Sequence, residues 1–165
     1  MGVTEVDGHS FKDIGLPEFT VISRKESETG DILYTVEPKE RIADCPACGG
    51  KLHIHKDAKR KVKDLDEFGH RVGIVVKGKS YRCKDCGETV REEYASICGQ
   101  MTRRMVESIQ RDVFGDMTFT QIARRYNVSV STVQGLFEEQ GEKLWTAYHF
   151  VCLLYTSDAA DDRIS

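Results

Sequence analysis

Two short cysteine pairs constrain this chain more than anything else in it: Cys45-Pro46-Ala47-Cys48-Gly49 and Cys83-Lys84-Asp85-Cys86-Gly87. Each is a Cys-x-x-Cys closed by glycine. Two intervening residues let both thiolates of a pair reach one ion, and glycine permits the tight turn that brings backbone close to sulfur. No basic-then-apolar leader opens the sequence, so the thiols are expected in a reducing compartment, where such pairs bind metal rather than form disulfides. Cys45, Cys48, Cys83 and Cys86 are therefore expected to hold one zinc ion. Four protein ligands leave no position for water, which makes the ion structural rather than hydrolytic.

The 34 residues between Cys48 and Cys83 exceed the usual 15 to 20. Alternating sequence fills the gap, with strands expected at Lys51 to His55, at Arg60 to Leu65, and through Val72, Ile74 and Val76 to Tyr81, punctuated by Gly69 and Gly78. Such a sheet would bring the two pairs side by side. Upstream, Phe19 to Arg24 and Asp31 to Glu37 read as a hairpin. His53, His55 and His70 lie among Lys and Arg and read as surface residues, since four cysteines already complete the shell. Cys98 reads as a small buried hydrophobe.

From Gln100 the apolar period becomes helical, through Met105, Ile109 and Val113, with Thr102 placed to cap the start and Gly115 to end it. Further helices are expected at about Thr120 to Tyr126 and Val130 to Gln140. Between them, Ala123 is small where helices cross, Asn127 stands where a left-handed turn residue is needed, and Ser129 can cap the next helix. That is the spacing of a DNA-binding helix-turn-helix. In such a motif the start of the last helix enters the major groove, which nominates Ser131 and Gln134 as base readers and Arg103, Arg104, Arg124 and Arg125 as phosphate contacts.

Charge supports a polyanionic partner, although the net value of −3 hides it. Residues 1–50 hold five Lys/Arg against ten Asp/Glu, while residues 51–82 hold ten against four. The balance swings from −5 to +6, and a basic middle suits contact with nucleic acid. No apolar run reaches membrane-spanning length. Acids such as Asp112 and Asp116 read as solvent-exposed, and no catalytic residue is assigned.

The order of these parts resembles the insertion-sequence transposases of the ISL-three type. The resemblance rests on Cys45-Pro46-Ala47-Cys48-Gly49, on Lys61-Val62-Lys63-Asp64-Leu65 leading to Tyr81-Arg82-Cys83, and on Met101-Thr102-Arg103-Arg104 followed by Ile122 to Tyr126 and Val128 to Val133; together these span roughly residues 30–140. It implies an α+β fold, a small antiparallel-sheet zinc ribbon followed by a three-helix helix-turn-helix unit. It also implies recognition of terminal inverted repeats in double-stranded DNA, with strand transfer left to an RNase H-like domain beyond this fragment.

The expected organisation is an N-terminal hairpin region (1–44), a zinc ribbon (45–98), a DNA-binding helical domain (99–150) and a tail (151–165). The tail looks like the translation of a sequencing-library adaptor. A prokaryotic cytoplasmic protein, nucleoid-associated when bound, is expected, with room for a homo-oligomer at full length. A zinc-ribbon and helix-turn-helix transcription regulator is the alternative reading.

Overall fold

The computed structural model describes residues 14–143. The chain divides into two compact units, Met1–Val106 and Glu107–Ser165. The tail expected at 151–165 lies outside the described residues.

The first unit is a sheet. β1 (Phe19–Glu26) and β2 (Ile32–Pro38) form the expected antiparallel hairpin. β3 (Leu52–Glu67) and β4 (His70–Cys83) form a second, much longer one. β5 (Thr89–Arg91) pairs with β4, while β6 (Ile97–Cys98) and β7 (Met101–Thr102) extend the β3 edge, giving the order β1-β2-β4-β3-β7-β6.

Two expectations about the strands are corrected. The strands expected separately at 51–55 and 60–65 are one sixteen-residue strand. The polar run Lys56-Asp57 breaks no ladder, because most of this stretch is solvent-facing and needs no apolar alternation. A bulge between Ile54 and Lys56 absorbs the change of register. The sheet is also not purely antiparallel, since β2 pairs in parallel with β4 from Ile32↔Val72 to Val36↔Val76.

That parallel register builds the core. Ile32, Tyr34 and Val36 line up with Val72, Ile74 and Val76, and all six are buried with Val62, Leu16, Phe19 and Ile97. Period-two alternation places them on one face, and each fully buried aliphatic contributes about 1.5–3 kcal/mol. Phe19 meets Tyr94 edge-on, with ring centroids 4.7 Å apart.

The two glycines expected as turns differ. Gly69 turns the β3–β4 hairpin together with Phe68, at φ 84° and 51° respectively. Gly78 lies inside β4, where a Cβ would stand 3.1 Å from both the Ala58 carbonyl and the Tyr94 hydroxyl. It marks a close approach and not a turn.

Buried Asp64 ties this sheet to the start of α1 (Arg103–Val113). It accepts hydrogen bonds from the Thr102 hydroxyl at 2.6 Å, from Arg104 Nε at 2.8 Å and from the other guanidinium face of Arg104. Thr102 Oγ1 in turn accepts from the Met105 N–H at 3.4 Å, the expected cap.

In the second unit α1 ends at Val113, and α2 (Phe119–Arg125) follows. Its start is a capping box: Thr118 Oγ1 accepts from the Gln121 N–H, and Gln121 Oε1 accepts from the Thr118 N–H at 2.8 Å. Asn127 takes the left-handed conformation at φ 51°. A third helix, α3 (residues 130–143), begins where Ser129 Oγ accepts from the Thr132 N–H at 3.1 Å. Ile109, Ile122 and Val133 are completely buried, and Ala123 nearly so. Asp112 is not the solvent-exposed acid expected from sequence, because it accepts from the Tyr126 hydroxyl at 2.9 Å and pairs with Arg125 at 3.1 Å.

Candidate metal centre and helical surface

The long β3–β4 hairpin explains the unusual spacing between the cysteine pairs. The first pair precedes β3 and the second closes β4, and Leu52 opposes Cys83 in register. Thirty-odd residues are thus consumed by two long strands and a two-residue turn, which returns the chain to where it started. Local hydrogen bonds shape each knuckle. Gly49 N–H donates to the Cys45 carbonyl and Cys45 N–H to the Gly50 carbonyl, both at 2.8 Å, while Cys83 N–H donates to Glu88. Gly49 and Gly87 sit at φ 72° and 74°, where other residues are strained. The Lys84 N–H donates to the Lys51 carbonyl at 3.3 Å, linking the two knuckles.

The four Sγ atoms all lie within 4.8 Å of one another. Cys45 and Cys86 are 3.7 Å apart, and Cys48 and Cys83 are 3.5 Å apart. A tetrahedral zinc with Zn–S of about 2.3 Å needs sulfurs about 3.8 Å apart, so the cluster is already near that size.

The electrostatics agree. The N–H groups of Cys86 and Asp85 hold the Cys83 thiol down at about 7 against the cost of its burial. Cys48 accepts from the Gly50 N–H, yet its neighbours Cys86 and Cys83 push it up to about 12; Cys86 is likewise raised despite its bond from Glu88. One thiolate, that of Cys83, is favoured and opposes ionisation of Cys48 and Cys86. A dication removes that conflict, since thiolates and not thiols ligate metal. Cys45, Cys48, Cys83 and Cys86 hold one structural zinc ion.

Among the described residues no histidine joins this group. His53 and His55 are exposed on β3, and His70 is exposed at the start of β4. Cys98 is half-buried in β6, away from the ligand set.

The residues nominated for DNA contact have different surroundings. Arg124 is exposed on α2, and Ser131 and Gln134 are exposed on α3, while Val133 between them is buried. Arg125 is exposed but pairs with Asp112 and lies 5.6 Å over the Tyr126 ring. Arg103 is exposed, and its Nε donates to the Ala95 carbonyl at 2.5 Å. Arg104 is spoken for: Asp64 holds it and raises its pKa. A phosphate would have to compete with a buried carboxylate for that guanidinium, so its first role is to anchor α1.

Sequence reasoning passed over Glu92, which organises the other end of the sheet. Its buried carboxylate accepts from the Tyr81 and Tyr94 hydroxyls at 2.8 Å, from the Lys79 N–H at 2.9 Å, and from Arg41 at 3.3 Å. Burial raises its pKa, but these donors together outweigh that and leave it lowered. One of two adjacent glutamates in Arg91-Glu92-Glu93 carries no local signal of this.

No helix among the described residues is long and apolar enough to cross a membrane. No curated protein and no solved structure matches the chain. Residues 43–86, which contain the four ligands and the whole hairpin between them, match the zinc-finger of transposase IS204/IS1001/IS1096/IS1165, and this match points to a transposase-related, DNA-binding region.

Proposed function

We propose that the chain is the DNA-binding N-terminal part of an insertion-sequence transposase, in which α2 and α3 form a helix-turn-helix that recognises a terminal inverted repeat. The observation that carries this reading is the transposase zinc-finger match over residues 43–86, coincident with a complete four-sulfur centre. The helical unit supports it. Ile122, Ala123 and Val133 are buried, Asn127 is left-handed at the turn, and Ser131 and Gln134 face solvent at the start of α3. Gln can bond adenine through paired hydrogen bonds and Ser can bond either kind of base. Arg124, Arg125 and Arg103 would contact phosphates, Arg125 by exchanging its bond to Asp112. The zinc ion supplies folding energy and takes no part in chemistry. Cutting and joining belong, in this reading, to an RNase H-like domain of the parent polypeptide, and no residue here is given a catalytic role.

The experiment is a selection from random duplexes, followed by titration of wild type and Gln134→Ala against the enriched sequence and a scrambled one at fixed salt. Gln134→Ala should cost about 1–3 kcal/mol on the enriched duplex and little on the scrambled one. Equal loss on both would reduce Gln134 to a backbone contact. Failure to enrich any sequence would overturn repeat recognition.

A further inference from the structure

A concave groove of about 420 Å³ runs along the β3–β4 hairpin beside Tyr94. Five cationic residues line it, Lys56, Lys59 and Arg60 on β3, Lys79 on β4 and Arg91 on β5, and of these Lys56, Arg60 and Arg91 share one face of the sheet by register. None of the five forms an ion pair among the described residues, whose ion pairs are made elsewhere. Two carboxylates also border the groove. Glu92 is already engaged by Arg41, Tyr81, Tyr94 and the Lys79 N–H, and Asp57 alternates onto the other face, opposite Lys79, which leaves the positive charges of Lys56, Arg60 and Arg91 uncompensated.

One buried polar atom of the groove's lining has no partner. Arg60 Nε is shut off from solvent with no acceptor, and behind the lining the hydroxyl of Ser80, a fully buried residue that opposes Lys56 on one side and Arg91 on the other, likewise lacks one. An unsatisfied guanidinium N–H is costly, and such groups mark places where an acceptor is missing. Together these observations describe a site for an anion with several oxygens.

We propose that this groove seats the phosphate backbone of duplex DNA, giving the sheet unit a contact of its own in addition to that of the helices. The proposal rests on the DNA-binding reading above. Lys56 and Arg60 on β3 and Arg91 on β5 flank β4 and so spread over about 10 Å, two inter-strand spacings. That exceeds one phosphate and suits successive charges along a duplex. Guanidinium groups at 60 and 91 suit phosphate oxygens through paired N–H donors. Nothing in the groove reads bases, so the contact is indifferent to sequence.

The test uses the full zinc-loaded chain and two variants, Lys56→Gln/Arg91→Gln, which changes only exposed side chains, and Arg60→Gln. Zinc content and circular dichroism verify folding. Binding to an enriched and a scrambled duplex is measured across a salt series, with inorganic phosphate titrated separately. The double variant should lower the log–log salt slope by about 2 and Arg60→Gln by about 1, with affinity falling roughly tenfold and equally on both duplexes. Unchanged slopes in both variants, while Arg124→Gln still weakens binding, would overturn the groove and leave the helical reading standing. Wild type that binds no duplex at low salt would overturn both. Tight binding of inorganic phosphate lost in Arg60→Gln, with duplex binding intact, would make the groove a free-anion site and overturn the proposal.

Discussion

The sheet unit and the helical unit are held together in opposite ways. In the sheet, decisive contacts join residues far apart in sequence: the four ligands span Cys45 to Cys86, Asp64 reaches Thr102 and Arg104, and Arg41 reaches Glu92. In the helical unit they are local. Thr118 and Gln121 cap α2, Ser129 caps α3, and Asp112 holds Tyr126 fourteen residues on. The difference teaches that one unit depends on a metal and two buried carboxylates to close long loops, while the other is specified by neighbours in the chain.

The largest test of this contrast is removal of zinc. Structural zinc contributes on the order of 10 kcal/mol to small ribbon modules, so a strong chelator or Cys45→Ser should unfold the region around the knuckles. The helices at 119–143 should remain. Hydrogen exchange resolved by peptide reads both outcomes, and metal analysis should find one zinc per chain. Loss of protection in α2 and α3 along with the ribbon would break the contrast, as would a zinc-free wild type purified under reducing conditions.

The reciprocal change is Ile122→Ala. This side chain is completely buried in the helical unit, and its truncation should cost about 3–4 kcal/mol there. Zinc stoichiometry should not change. A variant that released its metal would show that the units are not energetically separate.

Glu92 sharpens the account of the sheet. Its folded-state pKa is lowered below the ordinary 4.5, so the fold favours the charged form. That contribution is complete above the unfolded value and is lost as pH falls through the lower folded value. Glu92→Gln should therefore destabilise the sheet by about 2–3 kcal/mol at neutral pH. The gap between the two proteins should stay constant down to about pH 5 and narrow below 4.5. Denaturant titrations of both proteins at each pH, in matched zinc states, give the difference directly. A gap independent of pH would assign the effect to packing rather than charge.

The smallest effect expected is a gain. Phe68 is 94% exposed and held at φ 51° in the two-residue turn before Gly69. Asn tolerates that conformation far better than a bulky aromatic. Phe68→Asn should stabilise the hairpin by about 1 kcal/mol, measured by chemical denaturation. A destabilised variant would mean the aromatic ring makes a contact worth more than the strain.

Most of the helical unit was legible in the sequence, because its determinants lie within a few residues of what they fix. Thr102, Asn127 and Ser129 act at their own positions through cap and turn geometry, and the Thr118-x-x-Gln121 box was open to the same reading. The zinc ligands were legible for the same reason: two residues and a glycine set each knuckle. What tertiary structure alone decided is which distant segments meet. Nothing local distinguishes Gly78, packed under Tyr94, from a turn glycine such as Gly69. Nor does local sequence mark the parallel pairing of β2 with β4, the anchoring of Arg104 by Asp64, or the engagement of Glu92 by two tyrosines. Each depends on a partner supplied by chain folding over tens of residues, and burial, not residue type, turns an ordinary acid into the centre of a hydrogen-bond network.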